Sequence, residues 1–419
     1  MPTSLTDPVP GAARRRAPLA LIAALTALGF CALHMVIPVV PVLARAFASD
    51  PVYVQPVITL YFAAIAVGQL VYGPVSDRYG RRPVLLAGLV MFLAGSVTCA
   101  AAGSLVWLIS GRVLQACGAC AGIVLGRAII RDVHDREGSA RALALVMMVM
   151  TLAPAISPAV GAYLAEWVDW RAIFALLAAL GAAVLALTWA GLAETNPAPA
   201  PLNLGGMAAA YLTMLRAPVF LCFGLCTAFT SASWFTFTAA APFLLAERLH
   251  QPPSTYGLMI LLPMATYMLG NGLAARLTRR YGSLRLFVLG LAISLCSAAA
   301  MALWCLSGWA LAWALFVPIA AASIGSGLCQ PPAMAAGLSL FPRMAGAASG
   351  TIGFLQMTAS SLGTLVVGLL PRDSIWATVV VVAGCLALAM AAGLLALRLN
   401  APARPAAARN AASVPAEGG

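Results

Sequence analysis

Charge is what this chain has least of. Of its 419 residues only 9% are charged, while 62% are hydrophobic. Lysine is absent, so all 24 basic residues are arginine. A soluble domain needs far more charge to cover its surface, which excludes a soluble fold and implies an integral membrane protein. Barrel strands of about ten residues with alternating polarity are missing too. The 12 acidic residues all fall at the ends of apolar runs, in loops or in tails, never mid-run. A membrane enzyme would cluster His, Asp or Glu near one interface, and a receptor would carry a soluble domain. Neither is present. No G-x-x-x-x-G-K-[ST] loop exists, which argues against nucleotide-driven work. The 10 cysteines lie in apolar runs. Cys117 and Cys120, like Cys222 and Cys226, lack His or acidic companions. They read as small packing residues, with no metal site and no cofactor.

Long apolar runs are what the chain has instead. A helix needs about 20 apolar residues to cross a bilayer. Twelve such runs lie near 19–43, 53–76, 83–101, 105–130, 142–165, 172–192, 218–245, 256–278, 284–306, 309–333, 344–370 and 375–397, here numbered spans 1 to 12. The first is too long for a cleaved signal peptide, and no small-residue cleavage site follows it. The stretch "AETNPAPAPLNLGGM" (193–207) breaks the series with Pro, Asn and Gly. The expected fold is all-α and polytopic, with two pseudo-symmetric six-helix bundles at 18–192 and 218–398. A tail at 1–17, a central cytoplasmic loop at 193–217 and a disordered tail at 399–419 complete the chain.

The net charge of +12 is unevenly placed. Arg45, Arg171, Arg248 and Arg372 share one set of loops with Asp50, Glu166, Asp169, Glu247 and Asp373. Most other arginines, including Arg14, Arg15, Arg16, Arg136, Arg141, Arg276, Arg285 and Arg398, fall on the opposite side. This positive-inside bias puts both termini in the cytoplasm and makes the basic pI a topology signal, not a nucleic-acid footprint.

The halves repeat. "DRYG" at 77–80 and "RRYG" at 279–282 are 202 residues apart, and the same offset carries Gly161 onto Gly363. Parallel six-span repeats related by an axis along the membrane normal are a transporter plan. In the first copy, "YGPVSDRYGRRPVLL" gathers Asp77, Arg78, Arg81 and Arg82 between uncharged runs. "GPVSDRYGRRP" resembles the G-x-x-x-D-R-x-G-R-R signature of the major facilitator superfamily. Together with "GRVLQACGACAGIVLGRAIIRD" and "WRAIF", it is similar to the Bcr/CflA-type drug-resistance branch, which includes bicyclomycin and chloramphenicol exporters. The resemblance spans all twelve runs.

A conformational gate is the expectation for this stretch. Gly73 lets the end of span 2 approach another helix, and Gly80 is the second spaced glycine. Asp77 ends span 2, and its carboxylate pairs with Arg81, with Arg127 or Arg131 in span 4, or with a helix N-terminus. The plainer reading is a topogenic basic loop, served by Arg78, Arg81 and Arg82 alone. The second copy carries Arg279 in place of the acid. In span 5, Pro154 and Pro158 remove backbone bonds and bend the helix, and Gly161 allows close packing. The resembled antiporter motif has Gly where Ser157 stands. The expectation is a seal against span 8 or 11, with ordinary small-residue packing as the alternative.

Ionisable groups inside spans are costly and mark function. Arg112 lies about 10 Å deep in span 4 and His34 about 13 Å deep in span 1, from the same surface. In the resembled fold both spans line a central cavity. Arg112 and Gln115 match the family's R-x-x-Q-A. Its alternative role is pairing with carbonyls at a helix break. Many resembled exporters carry an acid where His34 stands. An unperturbed imidazole titrates near neutrality, so His34 is a candidate proton carrier; the plainer reading is a neutral, hydrogen-bonded His contacting substrate or helix, and Asp77 and Asp132 are alternative carriers. Tyr61, Trp234, Phe235, Phe237, Tyr267, Asn271, Gln330 and Gln356 are the uncharged cavity candidates, suited to amphiphiles with a few hydrogen-bonding groups. The function expected is a monomeric, proton-driven antiporter exporting neutral or anionic, phenicol-like drugs across the inner membrane. A metabolite symporter or facilitator on the same fold is the alternative.

Overall fold

The computed structural model describes residues 19–133, 136–196, 204–307, 312–370 and 375–400. The tails at 1–17 and 401–419, Arg372, Asp373 and the side chains of Arg136 and Arg141 lie outside the described residues. Every regular element among the described residues is a helix. Eleven helices are long and apolar enough to cross a membrane: Leu19–Ala46, Pro51–Tyr79, Arg81–Ala100, Leu105–Val133, Trp170–Gly191, Pro218–Arg248, Pro253–Tyr281, Ser283–Leu306, Ala312–Ser339, Ala345–Leu369 and Ile375–Asn400. These are spans 1–4 and 6–12. Helix Arg136–Trp167 is span 5. The protein is a multi-pass membrane protein. Below, the face carrying the Asp77 turn is the basic face, and the opposite one is the far face.

Local chemistry sets the ends. Asp50 accepts the Val52 N–H at 2.8 Å, Asp169 accepts that of Arg171 at 2.8 Å, and each caps the helix that follows. Proline opens span 7 at Pro218, where a missing N–H costs nothing. Span 1 breaks after His34 and resumes through a 3₁₀ turn at Ile37–Val39. Pro38 and Pro41 each remove an N–H, so the helix ladder cannot continue. Gly80 and Gly282 both take positive φ, 95° and 80°, and turn spans 2 and 8 into spans 3 and 9. The repeated tetrapeptides therefore fold alike.

The repeat continues in the packing. A Cβ on Gly88 of span 3 would strike Ala121 of span 4, and one on Gly290 of span 9 would strike the backbone of Gly325 in span 10. A Cβ on Gly161 would fall on the Met35 carbonyl, and one on Gly363 on Thr236. Span 5 thus closes on span 1 as span 11 closes on span 7. Small residues that let backbones touch supply the packing that apolar burial cannot supply in lipid.

The two halves are tied toward the far face. Gln55 donates to the Thr364 carbonyl at 3.2 Å, Thr59 and Thr364 share a hydroxyl bond at 3.0 Å, and Ser361 donates to the Thr59 carbonyl at 3.0 Å. The Ser254 N–H donates to Glu166 at 2.6 Å, and Gly257 of span 8 lies on the backbone of Ala159. Spans 2 and 11 stay together down to Gln69, which meets Gly350 and Gly353.

Two expectations need correction. The segment 193–217 is not loop throughout: Leu204–Arg216 is helical. Its run "MAAAYLTML" is rich in helix formers, and Tyr211 fixes it by donating to the Leu70 carbonyl at 2.8 Å. Span 12 also runs on to Asn400, past the expected boundary at 398.

Candidate functional site

The Asp77 turn folds into an ion cluster. Arg81 pairs with Asp77, one turn earlier, at 2.5 Å and with Asp132 of span 4 at 3.1 Å. It also donates to Ser76 Oγ. Arg82 donates to the Trp189 carbonyl at 2.9 Å and lies 5.4 Å from that indole's centre. Arg78 sits exposed beside them. Of the partners expected for Asp77, Arg81 is the one found. The expectation for Gly73 is corrected: a Cβ there would meet nothing within 4 Å, so no helix approaches it closely. Gly80 carries the steric demand instead.

Glu194 belongs to this cluster and escaped the sequence reading. Its carboxylate accepts the amide N–H groups of Arg81 (2.9 Å), Arg82 (3.1 Å), Thr195 (2.9 Å) and Asn196 (2.9 Å). The first two open span 3, so an acid supplied from just past span 6 caps a helix N-terminus. Asn196 adds a bond from its amide to the Asp77 carbonyl at 2.9 Å. Burial, with the Asp77 charge, pushes the Tyr211 phenol above its ordinary pKa. The sequence signal for Glu194 was an acid beside the Pro-rich break that follows span 6, on the face where arginines dominate.

Arg112 is at the centre of a second cluster. It was expected to line a cavity, but it and Gln115 are fully buried, and Tyr61 is 1% exposed. One Nη donates to the Ala32 carbonyl at 2.9 Å and to Gln115 Oε1 at 2.6 Å, and Nε points to the Val57 carbonyl at 3.4 Å. The guanidinium lies over the Tyr61 ring at 4.0 Å. Gln115 passes the chain on to Ser96 at 2.8 Å, and Tyr61 donates to the Gly29 carbonyl at 3.1 Å. Spans 1 to 4 are all held by this network. Ala32 lies just before the break in span 1, where backbone carbonyls need donors. The second Nη of Arg112 has no partner among the described residues.

His34 points elsewhere. Gly29 packs on Ala119 and Ile123 of span 4, and five residues on, the helix has turned by about 140°. His34 Nδ1 donates to the Phe30 carbonyl at 2.9 Å, because a carbonyl only accepts. Its ring lies 6.1 Å from Phe235 of span 7, which stacks on Phe62 of span 2 at 4.5 Å. His34 is 3% exposed. It sits at the seam between the halves, not in the Arg112 network.

The other cavity candidates divide. Trp234, Tyr267, Asn271, Gln330 and Gln356 are half-buried, whereas Phe235 and Phe237 are buried. Tyr267 and Gln330 meet at 3.3 Å, joining spans 8 and 10. Pro154 and Pro158 are buried within an unbroken span 5. Pro158 and Ala159 face Gly257 of span 8, while Gly161 faces Met35. No cluster of three His, Cys, Asp or Glu suited to a metal occurs among the described residues.

Comparison with known proteins gives one consistent family. The sequence pattern of the Major Facilitator Superfamily matches residues 20–229 and 223–417. The chain is 29% identical over 356 residues to "Multidrug resistance protein D" of Escherichia coli, covering 84% of this chain and 89% of that one. It is 32% identical over 369 residues to "Chloramphenicol resistance protein" of Pseudomonas aeruginosa, covering 85% and 84%. A "Bicyclomycin resistance protein homolog" of Haemophilus influenzae is 24% identical over 77% of this chain and 82% of its own. Among solved structures, an inward-facing, unoccupied bacterial homolog of the human lysosomal transporter Spinster superposes with a TM-score of 0.72. It shares 17% identity and covers 95% of this chain and 100% of its own, a likeness of fold.

Proposed function

The chain belongs to the Major Facilitator Superfamily, and on that premise we propose that it is a proton-coupled antiporter exporting small amphiphilic drugs, neutral or anionic, by alternating access. It is a transporter and not an enzyme. The relatives named for multidrug, chloramphenicol and bicyclomycin resistance support the drug-efflux reading. The basic face is taken as cytoplasmic, with both termini on that side of the inner membrane, and the working unit as a monomer.

One observation carries the mechanism: the halves are tied toward the far face by bonds that must break if that face opens. Thr59, Thr364, Ser361, Glu166 and Ser254 make those bonds across the seam. The Asp77, Arg81 and Asp132 cluster instead lies within the first half. This arrangement fits the form that loads drug from the cytoplasm. Opening the far face separates span 1 from span 7 and uncovers His34 from Phe235. His34 Nδ1 is committed to Phe30, which leaves Nε2 to take a proton from the outer side. Asp77 and Asp132 are the alternative carriers.

The metabolite-carrier reading retains one supporting fact: no Asp or Glu lies mid-span. Export from proteoliposomes under an imposed pH gradient separates the two. The gradient is expected to drive wild-type export, and His34→Ala is expected to abolish that dependence. A wild type indifferent to the gradient would make the protein a facilitator. Full gradient dependence in His34→Ala would move the proton to another residue. Good export of a lipophilic cation without chloramphenicol would overturn the substrate reading.

A further inference from the structure

Two arginines of span 4 have, among the described residues, no partner beyond their own helix. Arg127 and Arg131 lie one turn apart on the same helix face, nearer the basic face than Arg112. Either was a candidate partner for Asp77, but that carboxylate goes to Arg81. Asp132, next to Arg131 in sequence, turns to Arg81 at 3.1 Å and to Thr195 at 3.4 Å. Among the described residues Arg127 bonds only through Nε, to the Ile123 carbonyl of its own helix at 3.3 Å. Arg131 does the same with the Arg127 carbonyl at 3.3 Å. Among the described residues no carboxylate lies within ion-pair reach of either.

Their direction follows from their neighbours. Cys120 of span 4 turns to the Ile65 carbonyl of span 2 at 3.5 Å. Gly122 and Gly126 lie on Leu25 and Thr26 of span 1, and Gly118 and Ala121 lie on span 3. Seven residues beyond Cys120, Arg127 projects between spans 1 and 2, away from span 3. Spans 1 and 2 are the elements that meet span 7 of the other half. The Arg127 side chain therefore points to the seam between halves, half-buried, with Arg131 exposed beyond it. A topogenic arginine belongs in a loop, but Arg127 lies six residues inside its helix, about 9 Å from the end. An unpaired cation at that depth is costly unless something outside the protein completes it.

We propose that Arg127 and Arg131 form an anion-docking pair at the basic-face entrance, which takes the single negative charge of an amphiphilic substrate, such as a carboxylate. The free Nη groups match a carboxylate in bidentate fashion, and Arg131 meets the charge first. This rests on the exporter reading for the direction of travel and sharpens its substrate class to monoanions. It also moves the charge recognition away from Arg112, which is fully buried and held by the Ala32 and Val57 carbonyls and by Gln115.

The test is binding of a matched pair of probes, an arylalkyl carboxylate and its primary amide, to the purified full chain in nanodiscs. Wild type is expected to bind the carboxylate about tenfold more tightly than the amide, the strength of one charge-assisted contact. That preference should shrink as salt rises. Arg127→Gln should remove it and leave amide affinity unchanged, while Arg127→Lys should keep part of it. Equal wild-type affinity for the two probes would overturn the pair, as would equal weakening of both by Arg127→Gln. Should Arg127→Gln fail to fold, the wild-type preference and its loss in Arg131→Gln decide alone. Export of both probes without preference would sink the docking pair and leave the exporter standing. Preferential binding without export from cells would do the reverse.

Discussion

Glu194 lies directly over Gly80. A Cβ on that glycine would strike Glu194 Oε2, and the same carboxylate accepts the next two amide N–H groups, of Arg81 and Arg82. The first-half turn is therefore clamped by an acid from the end of its own half. The second-half turn at Gly282 has the same backbone, yet a Cβ there would meet nothing within 4 Å.

This asymmetry gives a paired prediction. Alanine at either glycine suffers the strain of positive φ, about 1 kcal/mol or more. Only Gly80→Ala also displaces the carboxylate and exposes the start of span 3. Gly80→Ala should lower the melting temperature of the purified protein more than Gly282→Ala. Glu194→Gln should reproduce much of that extra loss, because its amide nitrogen cannot accept. Equal effects of the two glycine variants would reduce Glu194 to a bystander.

Asp77→Asn tests the gate separately from the clamp. The variant keeps Arg81 on Asp132 and leaves every arginine of the turn in place. Asp77 is half-exposed, so losing its ion pair costs the fold only about 0.5 kcal/mol. Insertion and topology, read by accessibility of tags at the termini, should be unchanged while drug export falls several-fold. Normal export would leave the stretch as a topology signal alone.

The sequence made some of this legible and hid the rest for physical reasons. Spans are visible because lipid demands long apolar runs, and the turn at Asp77 because charge is rare enough to stand out. The repeat showed through the glycines at 80 and 282, which take positive φ, and at 161 and 363, which lie close against a neighbouring span. Partners were the hidden part. Arg112 read as a cavity cation because depth and residue type are visible, whereas the break in span 1 beside its Ala32 partner depends on Pro38 and Pro41 acting at a distance. Glu194 was hidden because its bonds go to backbone amides 112 and 113 residues away, which no side-chain pattern records.

Arg112→Lys distinguishes a structural cation from a substrate contact. Lysine keeps the charge but not the planar fork that reaches Ala32, Gln115 and Val57 together. Losing charge-assisted bonds in a dry site should cost about 2–3 kcal/mol. Purified Arg112→Lys should melt markedly lower, and export of neutral and anionic drugs should fall in the same proportion. Selective loss of anion export at unchanged stability would return Arg112 to the substrate path.

The last prediction turns on what stands opposite two equivalent glycines. Gly161 faces the backbone of Met35, at the break in span 1, and Gly363 faces the Thr236 hydroxyl and the Ala232 carbonyl of span 7. A side chain can rotate aside; the backbone of Met35 cannot. Gly161→Ala must therefore push span 5 off span 1, and with it the Pro158 and Ala159 contact to Gly257 that ties the halves at the far face. Gly363→Ala has only to turn the Thr236 side chain, whose hydroxyl is buried without a partner. Gly161→Ala should abolish export and make cysteines placed near the far-face seam accessible to a membrane-impermeant thiol reagent. Gly363→Ala should keep most activity. A reversal of that order would mean that the far-face seal is carried by span 11 against span 7, and not by span 5.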